Sequence, residues 1–62
     1  LTVKEFEIMI HFLNAKSIKE ITQIVRLHSS TIGTYKARIY EKLNVTNTID
    51  LRKLAELNRV VY

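Results

Sequence analysis

A pair of short amphipathic helices separated by a tight polar break most constrains how this chain can fold. Residues 17–43 read S-I-K-E-I-T-Q-I-V-R-L-H-S-S-T-I-G-T-Y-K-A-R-I-Y-E-K-L. Ser17, followed three residues later by Glu20, has the spacing of a capping box, so a helix is predicted over about residues 18–26. The polar stretch at residues 28–30 then offers a cap for the next helix. This pattern predicts two helices that meet at an angle across a short turn.

The second helix of the pair, predicted over about residues 30–43, has two opposed faces. At 100° per residue its apolar side chains fall close to one line, formed by Ile32, Ile39 and Leu43. The opposite face, called the outward face below, consists of Gly33, Thr34, Ala37, Arg38 and Glu41. The apolar line is expected in the core. The outward face is expected at the surface, where its small side chains let a partner approach the helix closely.

The net charge of the chain is concentrated on this helix pair. The whole sequence has ten lysines and arginines and six acids, which gives a formal net charge of +4. Residues 16–42 hold six of the cations and only two of the acids, so the remaining cations and acids balance. A basic two-helix unit of this size can lie on a polyanion and insert one helix into the major groove of DNA. We therefore expect double-stranded DNA as the partner.

Helices are also expected on both sides of this pair. Thr2 and Glu5 repeat the capping-box spacing at the start of the chain, and a dense apolar run follows them. A break is expected near Asn14, and a fourth helix is expected to end near Asn58. These elements predict an all-α fold, a compact four-helix domain with a central helix-turn-helix, which occupies residues 1–62.

The composition argues against several functional classes. No cysteine is present, so neither a disulfide nor a thiolate metal site is available. No apolar run approaches the roughly 20 residues that span a bilayer, and the absence of cysteine fits a reducing cytoplasm. There is no glycine-rich phosphate loop or nucleophile motif, and His11 beside Glu7 is more typical of a surface pair than of a catalytic dyad. We expect no enzymatic activity, cofactor, metal ion or small-molecule ligand.

The candidate DNA contacts divide into base contacts and phosphate contacts. The outward face is expected to meet base edges, with Arg38 able to bond guanine O6 and N7. The predicted base-contacting residues are Gly33, Thr34, Ala37 and Arg38. Free amides at the helix start and the flanking lysines suit phosphates. The predicted phosphate-contacting residues are Lys19, Ser29, Ser30, Thr31, Lys36 and Lys42.

Four strings of the sequence resemble one family of regulators. They are L-T-V-K-E-F-E-I-M, K-S-I-K-E-I, L-H-S-S-T-I-G-T-Y-K-A-R-I-Y-E-K-L and V-T-N-T-I-D-L. Together they resemble the LuxR-type (FixJ/NarL-type) helix-turn-helix domain of bacterial transcription regulators. The run T-Y-K-A-R at residues 34–38 is most similar to response regulators of the BvgA and EvgA type. The resemblance covers residues 1–57, nearly the whole chain.

This resemblance implies more than the helix pattern alone. It implies a four-helix domain at the C-terminus of a longer two-component regulator, with a receiver or ligand-sensing domain upstream. It also implies sequence-specific DNA binding as a homodimer that pairs through the last helix. The localisation that it implies is the bacterial cytoplasm, in association with the nucleoid. The fourth helix carries spare apolar residues, so the dimer interface is predicted at its exposed positions. These are Arg52, Ala55, Glu56 and Arg59.

The sequence departs from the family at three positions that bear on the site. The family usually has glycine at Ala15, so Asn14 is expected to take the left-handed conformation at the first break. It usually has serine at His28, so either Ser29 or His28 caps the following helix. It commonly has lysine at Gly33, so the base preference of relatives does not transfer to this chain.

The alternative to DNA binding is a helical protein-interaction module. Such a module would use the apolar residues of the fourth helix to oligomerise or to contact the transcription machinery, with RNA polymerase as a candidate partner. Salt dependence separates the two functions. DNA binding weakens steeply as salt rises, because binding releases counterions, whereas an apolar helix interface does not.

Overall fold

The computed structural model describes residues 1–62 and contains four helices and no strands. The helices are α1 Val3–Leu13, α2 Ile18–Val25, α3 Ser29–Leu43 and α4 Thr48–Leu57. The all-α, four-helix fold predicted from the sequence is confirmed, and α2 and α3 begin and end within one residue of their predicted ranges. None of these helices is both long enough and apolar enough to cross a membrane.

Capping boxes fix the starts of α1 and α2. The Glu5 amide donates to Thr2 Oγ1 at 3.1 Å, and the Thr2 amide donates to Glu5 Oε1 at 2.8 Å. The same reciprocal pair joins Ser17 and Glu20, at 3.1 Å in both directions. The hydrogen bond from the Ser17 amide is the main cause that lowers the pKa of Glu20. Each box satisfies amides that have no partner within the helix, which is why these polar residues set the helix starts.

The end of α1 differs from the sequence prediction. The residue with a left-handed backbone is Ala15, at φ 61°, and the expectation for Asn14 is wrong, since its φ is −83°. The Asn14 amide and side-chain Nδ2 both donate to Ile10 O, and these bonds hold Asn14 near the helical conformation. Ala15 then reverses the chain, and the Lys16 amide donates to His11 O across the turn. The corresponding left-handed residues after α3 and α4 are Asn44 and Arg59.

One apolar core joins the four helices. Helix α3 lies against α1 and α2, and α1 also contacts α4. The buried apolar residues are Ile8, Met9, Phe12, Leu13, Ile21, Ile32, Ile39, Leu51 and Ala55. The predicted apolar line of α3 is confirmed at Ile32 and Ile39, and Leu43 packs half-buried beside them. This packing fixes which side of α3 is turned toward solvent.

Helix α4 buries a residue that was predicted to be exposed. Leu51 and Ala55, four residues apart and therefore on one face of the helix, are 1% and 4% exposed. The expectation that Ala55 lies on an exposed interface is therefore wrong, because its methyl group completes the core. The exposed apolar residues of α4 are instead Ile49 and Leu57, at 68% and 82%.

Candidate nucleic-acid interface

The outward face of α3 is an open surface. Thr34, Ala37, Arg38 and Glu41 are exposed, on the side of the helix opposite the core. Gly33 is half-buried, yet a Cβ built on it would meet no atom within 4 Å. The face therefore has the shape expected from the sequence, with small side chains around a single arginine.

His28 caps the start of α3. Its Nδ1 accepts the Ser30 amide at 3.2 Å and lies 2.9 Å from the Ser30 hydroxyl oxygen. An accepting ring nitrogen carries no proton, so the hydrogen of the neutral imidazole belongs to Nε2. Of the two caps that the sequence left open, the structure uses His28, and Ser29 is the first residue of the helix.

Residues predicted to contact phosphates and residues predicted to contact bases lie together along the first ten residues of α3. A shallow depression of about 290 Å³ is lined by Ser30, Thr31, Thr34, Tyr35 and Arg38. Thr34 Oγ1 also donates to Ser30 O at 3.1 Å, which turns its methyl group away from that carbonyl. The structure thus brings the hydroxyls of the helix start next to the arginine of the outward face.

Lys42 is held by a carboxylate near the start of α1. Its ammonium donates to both oxygens of Glu5, at 2.9 and 3.0 Å. The Thr2 amide and, next, Lys42 lower the pKa of Glu5 from 4.5 to about 2, against the opposing effect of burial. The Glu5 carboxylate is 3% exposed and the Lys42 side chain 49% exposed. This ion pair attaches the last turn of α3 to the first turn of α1.

The other two predicted phosphate lysines differ from each other. The Lys36 ammonium lies over two aromatic rings, 5.5 Å from the centroids of both Phe12 and Tyr40, on the flank of α3 that adjoins the core. Lys19 on α2 is exposed and takes part in neither of the ion pairs of the structure. Lys19 is therefore the one of the three lysines whose ammonium is held by neither an ion pair nor an aromatic ring. No group of histidine and acidic side chains is arranged to hold a metal ion.

The residues of this interface lie in a part of the chain that matches a known protein family. Residues 1–55 match the family described as "Bacterial regulatory proteins, luxR family". The chain belongs to this family. The resemblance to LuxR-type regulators that the sequence strings carry is thereby confirmed.

Several curated relatives of this luxR-family chain are bacterial regulators. The DNA-binding transcriptional activator EvgA of Escherichia coli K12 is 30% identical over 60 residues, which are 97% of this chain and 29% of EvgA. The response regulator GacA of Pseudomonas aeruginosa is 33% identical over 55 residues, 89% of this chain and 26% of GacA. The response regulator UvrY of Escherichia coli K12 is 29% identical over 55 residues, 89% of this chain and 25% of UvrY. The chain spans less than a third of the length of these relatives. No solved structure matches it significantly.

Sequence reasoning missed the two contacts that hold the lysines of this luxR-family domain. Glu5 and Lys42 are 37 residues apart, so no local spacing connects them. The sequence held a weak indication that Glu5 has a second partner, because a carboxylate in a capping box still has lone pairs that can accept from another donor. For Lys36 the sequence offered half of the signal: Tyr40 lies four residues further along the same helix, whereas the Phe12 ring comes from another helix.

Proposed function

We propose that this chain binds double-stranded DNA in a sequence-specific manner, with α3 in the major groove, as part of a regulator of transcription. The observation that carries the proposal is the open outward face of α3, where small side chains surround Arg38 opposite the core. The relative EvgA is described as a DNA-binding transcriptional activator, which supports the same function here. The lengths of the relatives support a role as the DNA-binding part of a longer regulator.

Base edges suit the outward face for steric and chemical reasons. The major groove is about 12 Å wide and admits an α-helix. Gly33, Thr34 and Ala37 lack long side chains, so the axis of α3 can approach the base edges closely. Arg38 supplies paired donors for the O6 and N7 acceptors of guanine. We assign base contact to these four residues.

The start of α3 and the lysines beside its outward face are suited to bind DNA phosphates. The start of α3 offers the backbone amides and hydroxyls of Ser29, Ser30 and Thr31 at the positive end of the helix dipole. Lys19 adds an accessible ammonium, and the flanking Lys36 and Lys42 add two that are already oriented by protein contacts. Each lysine removed should lower the slope of log affinity against log salt by about one unit, while base preference stays the same.

The test of the proposal begins with selection of bound duplexes from a random DNA pool, followed by affinity measurements on the selected sequence. Ala37→Glu places a carboxylate on the outward face without disturbing a contact of the fold, so specific binding should be abolished and the melting temperature nearly unchanged. Leu57→Glu is the control, because it adds the same charge at an exposed position of α4; since α4 is proposed below to form the dimer contact, both variants are compared on a duplex with a single half-site. If the Ala37→Glu variant binds a single half-site as tightly as the unmodified chain does, the placement of α3 in the major groove is wrong.

We also propose that two copies of the chain contact each other through α4. Arg52 and Glu56 are exposed on this helix, and Arg59 is exposed just beyond its end. The neighbouring Ile49 and Leu57 expose apolar surface. Two copies can occupy successive major-groove faces when their centres are roughly 34 to 36 Å apart. Pairing through so small a patch should be weak in solution and stronger on DNA.

Charge reversal tests the dimer contact. Glu56→Lys should reduce cooperative occupancy of a duplex with two half-sites and leave the affinity for a single half-site unchanged. Unchanged cooperativity, with single-site affinity intact, would show that the dimer contact lies elsewhere. The alternative protein-interaction function predicts binding that barely responds to salt, so a salt titration on the same duplexes separates it from DNA binding.

A further inference from the structure

Glu41 is the only acidic residue on the outward face of α3. At 100° per residue it lies between Thr34 and Ala37 around the helix axis, within about 40° of each, and all three side chains are exposed. Its carboxylate takes part in neither ion pair of the structure, which join Lys4 with Glu7 and Lys42 with Glu5. A free carboxylate therefore lies at the C-terminal end of the face that is proposed to meet DNA.

The surroundings of Glu41 leave its charge uncompensated. A depression of about 380 Å³ is lined by Thr2, Glu5, Tyr35, Arg38, Glu41 and Lys42. Of the two cations there, Lys42 already donates to both oxygens of Glu5. Arg38 is one helical turn from Glu41 and remains free to use its own donors elsewhere. The chain thus presents an unpaired guanidinium and an unpaired carboxylate side by side.

A carboxylate in this place is unfavourable beside phosphates and favourable beside an amine. Repulsion from the DNA backbone would weaken binding to every sequence alike. In the major groove, however, cytosine presents its N4 amine, and glutamate is a suitable acceptor for it. A G·C pair presents that donor next to the O6 and N7 acceptors of guanine, the arrangement complementary to a carboxylate beside an arginine.

We propose that Glu41 is a specificity-determining residue, which accepts a hydrogen bond from the N4 amine of a cytosine while Arg38 contacts guanine. This inference rests on the proposed function of α3 and extends it to the last turns of the helix. It predicts that the operator half-site bound by this chain contains a G·C pair and that the Glu41 carboxylate is needed to recognise this pair.

The experiment compares Glu41→Ala and Glu41→Gln with the unmodified chain at one fixed salt concentration. Base preference is obtained from a random DNA pool, and affinities are then measured for the selected duplex, for duplexes with single base-pair changes and for a scrambled duplex. Glu41→Ala should lose about tenfold discrimination at one G·C pair, the scale of a single base contact. Its affinity for the scrambled duplex should stay equal or rise, because a repulsive charge is gone.

Glu41→Gln should shift the preference at that position toward adenine, whose N6 and N7 match the glutamine amide. Glu7→Ala is the control, since it removes an exposed carboxylate from α1, away from the outward face, and should leave base discrimination unchanged. If Glu41→Ala strengthens binding to every duplex by one common factor and keeps the preference for cytosine, Glu41 only repels phosphate and the inference is wrong. Failure of the proposed function is a separate result, because the unmodified chain would then show no base preference at all.

Discussion

Replacing Gly33 by alanine should stabilise this domain. Gly33 is the fifth residue of α3 and has no positive φ that would require glycine. A Cβ at this position meets nothing within 4 Å, so the new methyl group causes no clash. The substitution therefore changes only helix propensity and the entropy of the unfolded chain, which both favour alanine.

The expected increase in melting temperature is large because the domain is small. Alanine is about 0.8–1.0 kcal/mol more favourable than glycine in a helix interior. With about 2.1 cal/mol/K of unfolding entropy per residue, a chain of 62 residues has about 130 cal/mol/K. The melting temperature should therefore rise by about 6–8 °C for Gly33→Ala.

Thermal unfolding followed by circular dichroism at 222 nm measures this shift. The mirror variant Ala37→Gly, at an exposed position of the same helix, should lower the melting temperature by a similar amount. A Gly33→Ala variant that melts at or below the temperature of the unmodified chain, while Ala37→Gly behaves as expected, would refute the open surroundings described for Gly33.

Three further predictions concern stability. The pKa of Glu5 falls from 4.5 to about 2 on folding, so the unfolded chain binds more protons than the folded chain between those pH values. The free energy of unfolding should therefore decrease as pH falls through this window. Urea titrations at several pH values should show a smaller decrease for Glu5→Gln than for the unmodified chain. Ala15→Gly should raise the free energy of unfolding by about 0.5–1 kcal/mol, because glycine tolerates a φ of 61°; an unchanged urea midpoint would argue against strain there. Ile32→Ala should cost about 2–5 kcal/mol and Ile49→Ala less than about 0.5 kcal/mol, and equal losses would contradict the described core.

The sequence predicted the elements of this fold well because their signals are local. A capping box involves residues three positions apart, and both boxes, at Thr2 and Ser17, form as their spacing indicates. The apolar line of α3 likewise depends only on helical periodicity, and Ile32 and Ile39 are buried as expected. The solvent-facing side of α3, which the proposed function uses, follows directly from that line.

The features that the sequence did not predict depend on contacts between distant residues. Which α4 residue completes the core depends on how α4 packs beside α1, and that packing buries Ala55. The contact between Glu5 and Lys42 exists only after α1 and α3 have met. At the first break the preference of asparagine for left-handed backbone was outweighed, because two hydrogen bonds to Ile10 O keep Asn14 near the helix.

Helix α3 is held at both ends before any partner is present. His28 fixes its first turn, and Lys42 attaches its last turn to Glu5. A helix fixed in this way would meet DNA as a rigid body, without a folding step coupled to binding. The heat capacity change of binding should then correspond to the buried surface alone. The association rate constant should be governed by orientation and electrostatic steering, and it should rise steeply as the salt concentration is lowered.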